Sequence, residues 1–441
     1  MGTQGAQLQA ATPAAAKPQW RLTTRIVFRF CLVYFGLYCL LTQLATSLVP
    51  LAKVDIPDPS TFWPTRQIVT WTAVHLFGIT RPLVYFSGSG DKTFDWVLLF
   101  VMLVLGVAAT AIWSILDRRR ENYVTLHKWF RLVIRICLAG QMFGYGWTKA
   151  VPLQMPFPYL PKLLEPYGNF STMGVLWASI GASPAYEIFA GCAEMLGGIL
   201  LILPRTTTLG ALVCLADMTQ VFMLNMTYDI PVKLLSFHLI LLSLFLLAPD
   251  LQRLANIFFL NRAAGPSTQP PLFTTPRANR IALITQILIG VWLMGMNAYS
   301  SWTAWHEYGG GRPKSALYGI WDVNLLSIDG QVRSPLLTDY GRWRRVVFDF
   351  PEFVSFQRMD DSFAGYGTKI DPGSSTLVLT RFDDKNWKAN LSFQRPVPDQ
   401  LILDGQMDGH KVHMQLQLFD RKKFLLVSRG FHWVQEKPFN R

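Results

Sequence analysis

Between Arg131 and Asp250 the chain reads as four apolar helices, yet this stretch carries Gln141, Lys149, Glu187, Glu194, Asp217, Lys233 and His238. Ionisable groups at membrane depth are costly, and they persist mainly where they pair with one another or line a functional cavity. Gln141, Tyr145 and Lys149 recur at i, i+4 and i+8, so they share one ridge of a helix. Glu187, Gly191, Glu194 and Gly198 form one stripe of the next helix. Glu187 stands near the outer end, where solvation is expected. Glu194 lies about two turns deeper, where a lone carboxylate needs a partner or a proton. Asp217, Gln220 and Asn225 follow on the third helix, and Lys233 and His238 on the fourth. Such side chains exchange protons and contact anionic or carbonyl oxygens. One expectation is that Lys149, Glu194, Asp217 and His238 converge as a reactive set in an outward-open pocket, with Gln141, Tyr145, Gln220 and Asn225 contacting a cofactor. The other is that these groups are structural: internal ion pairs, a Lys149 that snorkels to the headgroups, and a His238 that satisfies one hydrogen bond.

No HExxH, P-loop, GxSxG or dinucleotide-binding glycine motif occurs in the chain. The seven histidines show no metal-ligand spacing, and His410 and His413 are expected on opposite faces of a strand. The expected cofactor is therefore organic, a quinone or another lipid, with no metal or heme motif.

The elements that must position these groups follow from composition. Hydrophobic residues make up 51% of the chain and charged residues 16%, where soluble domains average about 25% charged. Seven runs approach the ~20 residues that cross a bilayer as a helix. They lie near 27–50, 94–116, 131–150, 184–204, 208–227, 230–249 and 280–300. Basic residues concentrate in the N-terminal tail, the Arg118–Arg120 loop, the turn at Arg205 and the linker after Gln252. The positive-inside bias makes that side cytoplasmic, and an odd number of spans then puts the C-terminal domain outside. There are 22 basic and 12 acidic residues through Ser300, and 19 and 16 after it. That split suits basic loops facing anionic lipid rather than a nucleic-acid surface. The first span is expected to be retained, because Arg29 and the length of Cys31–Val49 do not suit a cleaved leader. Five cysteines lie in predicted spans without a CxxC pair, so paired thiol chemistry is not expected.

The expected organisation is a disordered cytoplasmic tail (1–25), two N-terminal spans with a long exterior loop (26–130), a four-helix core (131–250), a linker (251–279), a last span (280–302) and an exported β domain (303–441). In the long loop, Gln67–Gly78 could lie flat at the interface, and Ser87–Asp91 is either a flexible approach or an anion-binding nest. Prolines 152, 156, 158 and 161 suggest an extended strap over the bundle mouth. Gly140 and Gly144 form a GxxxG spacing read as packing. After Trp302 short runs alternate polar and apolar residues: Gly319–Leu325, Arg344–Phe350, Val354–Arg358, Thr376–Arg381, Trp387–Phe393, His410–Leu418 and Phe424–Val427. Turns at Asp329-Gly330, Asp371-Pro372-Gly373 and Asp408-Gly409 separate some of them. The fold class is thus an α-helical multi-pass membrane protein of about seven spans plus a C-terminal antiparallel all-β barrel-like domain of roughly eight strands.

Three stretches carry a family resemblance: Gly144-Tyr145-Gly146-Trp147-Thr148-Lys149, Glu194-Met195-Leu196-Gly197-Gly198-Ile199-Leu200-Leu201-Ile202-Leu203, and Asn225 through Lys233. Residues 131–250 resemble the DoxX family of small four-helix membrane proteins, which includes subunits linked to quinol oxidation. The layout is similar, more remotely, to the vitamin K-dependent carboxylase relatives, in which a lysine near a span end matters; that would point to Lys149. Gly319-Ile320-Trp321 with the distant Arg429 resembles lipocalin-like calycin barrels, and implies that Arg429 stacks on Trp321 at the barrel base. The expected partners are membrane lipids and, from the DoxX likeness, a membrane redox protein; the charge split argues against nucleic acid, and the spans with their basic loops point to an inner-membrane location. A scaffold or lipid-binding protein without enzymatic activity is the alternative.

Overall fold

The computed structural model describes residues 19–440 other than 52, 53, 55, 268 and 385. Residues 1–18 of the expected disordered tail lie outside the described residues, and from Leu22 the chain is helical. The helices are α1 (Leu22–Leu41), α2 (Gln43–Thr46), α3 (Thr65–His75), α4 (Thr93–Leu116), α5 (Val124–Ala150), α6 (Leu160–Leu164), α7 (Thr172–Gly181), α8 (Pro184–Ile202), α9 (Thr207–Thr227), α10 (Lys233–Leu247), α11 (Leu251–Phe258), α12 (Pro276–Glu307) and α13 (Leu425–Ser428). Among the described residues six helical segments are long and apolar enough to cross a membrane: Leu22–Leu41, Thr93–Leu116, Pro184–Ile202, Pro204–Thr227, Lys233–Phe258 and Pro276–Glu307. The chain is a membrane protein. The remaining predicted run, 131–150, is helical as part of α5 but is not apolar enough for this set.

The chemistry of α5 explains the difference. Arg131, Arg135 and Lys149 are all buried in protein. Arg135 donates to the carbonyls of Leu201 (2.7 Å) and Ile202 (2.8 Å), satisfying orphan acceptors at the end of α8. Arg131 donates to Leu246 O near the end of α10. Cations near helix C-termini complement the helix dipole. Arg29 of α1 follows the same logic, bonding Tyr123, Ser114 and the Asp117 carbonyl.

The chain divides into two compact units. The first comprises residues up to Phe143, Met195–Asn225 and Pro231–Gly295. In it α3 packs Val69, Thr72 and Ala73 inward while Ile68 and Trp71 stay exposed. The Ser87–Asp91 segment is neither a free approach nor an anion nest. Gly90 N–H donates to Pro231 O (2.7 Å), and the Asp91 carboxylate accepts from the backbone N–H groups of Lys233 (2.8 Å) and Leu234 (2.9 Å). Asp91 thus caps α10 from a distant part of the chain. Gly140 of the GxxxG pair packs against Ser47 and Leu48.

The second unit comprises Gly144–Glu194, Met226–Ile230 and Met296–Arg441. Its sheet has strands β1 (Gly319–Ile328), β2 (Gln331–Val332), β3 (Trp343–Phe350), β4 (Phe353–Arg358), β5 (Phe363–Asp371), β6 (Thr376–Thr380), β7 (Lys388–Gln394), β8 (Gln400–Met407) and β9 (His410–Leu418). All neighbours are antiparallel and β1 also pairs with β9, closing an eight-stranded up-and-down barrel to which β2 is a short hairpin extension. Closure removes the free edges that invite aggregation. Asp329-Gly330 and Asp408-Gly409 have positive φ at both positions, as two-residue hairpin turns require. Trp321, Phe348, Phe356, Leu379, Leu403 and Met414 pack together in the interior.

Three sequence expectations for this domain are corrected. Two of the barrel strands, β5 and β8, and the two-residue β2 have no counterpart in the expected runs; Gly365, Gly367 and Gly405 interrupt the apolar pattern of β5 and β8. Phe424–Val427 is not a strand, because Leu425–Ser428 forms a helical turn after the barrel has closed. Arg429 does not stack on Trp321: its guanidinium lies 4.0 Å from the Phe439 ring centroid, while Arg395 lies 5.5 Å from that of Trp321. The glycine of the Gly-x-Trp start has a backbone reason, since Gly319 has φ +149° and a Cβ there would meet Leu418 at 2.5 Å.

In the loop between α1 and α4, burial and the neighbouring Asp95 raise the Asp58 carboxyl to about 6, against a partial opposing effect of Lys92. A folded-state value raised above the unfolded one means that native structure is favoured at low pH and loses stability as pH climbs from about 4 to about 6. Asp58→Asn should therefore raise the thermal midpoint of the purified protein at pH 7.5, and the gain over wild type should vanish near pH 4. A gain that is unchanged by pH would contradict this assignment.

Candidate functional site

The sequence stripe on α8 has a packing purpose first. A Cβ at Gly191 would lie 2.5 Å from both Gly146 O and Ala150 N of α5. Only glycine permits that approach, and it brings the polar residues flanking Gly191 against the end of α5. Gly198 plays the same part in the other unit, against Phe143 and Ala139.

The result is a buried ion pair. Lys149 Nζ lies 2.6 Å from Glu194 Oε1, with the two side chains 8% and 4% exposed. Lys149 therefore does not snorkel; its ammonium is enclosed by protein and also lies 5.7 Å from the Tyr145 ring centroid. Glu187, expected to be solvated, is instead fully buried at 0% exposure. Its Oε1 accepts from the Met155 backbone N–H (2.9 Å), and Lys149 lies within electrostatic reach of it. The second oxygens of both carboxylates, Glu187 Oε2 and Glu194 Oε2, are buried and accept no hydrogen bond from any described residue. Gln154, whose backbone lies at the Glu187 carboxylate, has a buried and unbonded Oε1. Buried polar atoms are nearly always satisfied, so an unbonded oxygen on each of two carboxylates distinguishes this region. Sequence reasoning did not count Glu187 as a site residue; its place on the Glu194 stripe was the signal.

The proline-rich segment forms a strap in the same unit, but it is not extended throughout: Pro161 sits in the first turn of α6, where a proline needs no N–H partner. Past Met155, the Leu160 N–H donates to Asp349 Oδ2 of β3 (2.8 Å), and Arg312 bonds the other Asp349 oxygen (2.8 Å). Leu160 packs with Ile320 and Val347 on the outer face of the barrel. One continuous strap thus touches both the Glu187 carboxylate and the barrel wall.

The other predicted residues are held as follows, in the first unit. His238 is 1% exposed; its Nδ1 lies 2.6 Å from Leu234 O, its Nε2 2.8 Å from the Tyr34 hydroxyl, and its ring stacks on Tyr38 with centroids 3.9 Å apart. A carbonyl only accepts, so Nδ1 carries the proton and a neutral ring accepts the Tyr34 O–H at Nε2. Gln141 exchanges hydrogen bonds with Gln43: its Oε1 accepts from Gln43 Nε2 and its Nε2 donates to Gln43 O. Asn225 donates to Val232 O and Ser236 Oγ, tying the end of α9 to the start of α10. Asp217 is half-buried on α9, and Gln220 is exposed there. In the barrel, His410 pairs with Asp329 and His413 with Asp404, each at 2.6 Å.

A buried pair broken on one side leaves a lone charge, a loss of roughly 3–5 kcal/mol, whereas apolar replacement of both partners is often near neutral. Glu194→Leu should destabilise the detergent-solubilised protein more than the double variant Lys149→Met/Glu194→Leu does, as read by thermal midpoint. Equal losses in both would show that the pair is not coupled.

No family model matches the chain, and no solved structure matches it. Over 124 residues it is 34% identical to a protein of Bacillus subtilis (strain 168) described as "Uncharacterized protein YwoB", an alignment covering 28% of this chain and 79% of that protein. With that identity over more than two thirds of the relative, the chain belongs to the YwoB family.

Proposed function

We propose that the protein is a DoxX-like, redox-associated membrane protein that binds a quinone-like lipid beside Lys149 and Glu194. One observation carries this reading: two carboxylates and one ammonium are enclosed together at the end of α5 with an unbonded oxygen on each carboxylate. With all three groups ionised the cluster holds one excess negative charge, and a single shared proton neutralises it in a low-dielectric setting. Such a cluster can take up and release a proton without water at hand. The donor set suits a quinone headgroup. Lys149 would donate to a carbonyl oxygen, Glu194 and Glu187 would hold and pass the proton, and Gln154 offers a further acceptor. A quinone, when bound, supplies two-electron, two-proton chemistry. Asp217 and His238, the other two residues of the expected reactive set, belong to the first unit, and both ring nitrogens of His238 are engaged there.

A second reading, a lipid-binding or scaffolding membrane protein without a reaction, is favoured by the bonding of Gln141, Asn225 and His238, whose contacts join helix to helix. In both readings the partners are membrane lipids, joined in the first by a membrane redox protein. For location we propose an inner membrane with the N-terminus cytoplasmic, α5 crossing as a seventh span and the barrel exterior. The support is the basic loop at Arg118–Arg120 and the length of α5, which at ~1.5 Å per residue is enough to cross.

Mass spectrometry of lipids that co-purify with the full chain tests the ligand. A quinone is expected with wild type and should be lost from Lys149→Ala and diminished in Glu194→Gln. Equal quinone in all three preparations, or none in any, would favour the scaffold. Orientation is read independently: protease added outside spheroplasts should cleave the exposed barrel loop at Arg333, and cleavage only after lysis would reverse the topology.

A further inference from the structure

Beyond β9 the chain runs Asp420-Arg421-Lys422-Lys423-Phe424-Leu425-Leu426 and on to Gly430-Phe431-His432-Trp433-Val434. The start of this segment is firmly placed. The Phe419 and Phe424 rings meet tilted, with centroids 5.2 Å apart, and pack on the same apolar cluster as Leu160, Leu163 and Leu164 of α6, within the loop that joins α5 to spanning segment α8. Arg421 donates to the Tyr318 hydroxyl (2.9 Å), and Asp420 caps the turn by accepting from Lys422 N. The side chains projecting from this base have a particular chemistry. Arg421, Lys422 and Lys423 are exposed, and so are Leu425 (52%) and Leu426 (50%). Phe431 and Trp433 are exposed at 77% and 91%, and they meet edge to face at 5.0 Å rather than seeking the protein interior.

Exposed tryptophan and phenylalanine beside a basic cluster suit the boundary of a bilayer, where the rings enter the headgroup layer and the cations meet phosphate. A water-facing tail gains nothing from exposing such rings, and a protein partner would not need a triplet of adjacent cations. Within its unit, the segment is seated beside the start of α6 at Leu160, only ten residues after the end of α5 at Ala150. The geometry points to residues 421–434 as a lipid-surface anchor that binds anionic phospholipid headgroups and holds the barrel's closing end at the membrane. This assignment is independent of the quinone reading, since it concerns a different surface and a different class of lipid group.

The full-length protein in nanodiscs tests it. Limited trypsin digestion, followed by mass spectrometry of the released C-terminal peptides, reads access to Lys423 and Arg429. Cleavage there should be slower by about tenfold or more in discs containing phosphatidylglycerol than in discs of phosphatidylcholine alone, given the attraction of each basic residue to an anionic surface. Cleavage at Arg333 should be the same in both, and high salt should remove most of the difference. The double variant Lys422→Gln/Lys423→Gln should lose protection at Arg429 in the anionic discs. Brominated phosphatidylglycerol should quench the fluorescence of the wild type more than that of Trp433→Phe. Protection that is equal in both lipids would mean that the segment rests on protein, and equal rapid cleavage would mean that it rests on nothing; either result overturns the assignment, as does identical quenching of the two proteins.

Discussion

A charge taken out of water must be met by something of opposite sign or by an aligned dipole, and this constraint shapes the helical part of the protein. Helix α5 obeys it at three heights. Arg131 and Arg135 end on carbonyls at the C-terminal ends of neighbouring helices, and Lys149 ends on Glu194. The cations that keep α5 from being apolar along its length therefore act as its fasteners. Asp91, reaching across to cap the first turn of α10, is the same device with the sign reversed.

The Lys149–Glu194 pair differs from the arginine contacts in what is left over. Arg131 and Arg135 donate to backbone carbonyls, and no carboxylate among the described residues is bonded to either of them. Around Lys149 the acceptors outnumber the donors that reach them, because Glu187 is drawn into the same buried region by the strap that begins after α5. A structural ion pair does not require a second carboxylate nearby, and burying one is expensive. The proposed proton-handling role rests on that surplus. The strap adds a mechanical element: the segment that orients Glu187 through Met155 continues to Asp349 on the barrel wall. The barrel is closed and its interior is packed with side chains, so its outer face is the surface available for such contacts.

How much could be read beforehand differs by element. The helices of the spanning segments were legible because a run of apolar residues long enough for a bilayer has few other uses. Strands at His410–Leu418 and Arg344–Phe350 were legible by alternation, and Asp-Gly pairs marked two turns correctly. Strands β5 and β8 were missed where glycines replace side chains for the sake of close strand contact, as at Gly365 beneath the Phe353 ring. Phe424–Val427 looked like another strand, but barrel closure had already used the last pairing partner of β1.

The candidate site shows the same division. Residue types and helical spacing singled out Lys149 and Glu194 and put Glu187 on the stripe of Glu194, because periodicity is a local property of the chain. They left open whether Lys149 reaches the headgroups, whether Glu187 is wet, and which aromatic residues flank His238. Those outcomes depend on which surfaces meet: on Gly191 admitting the backbone of α5, on a proline-rich loop folding back over Glu187, and on Tyr34 and Tyr38 arriving from a helix some two hundred residues away. Burial and pairing are properties of the packed interior, and no pattern within a single segment encodes them.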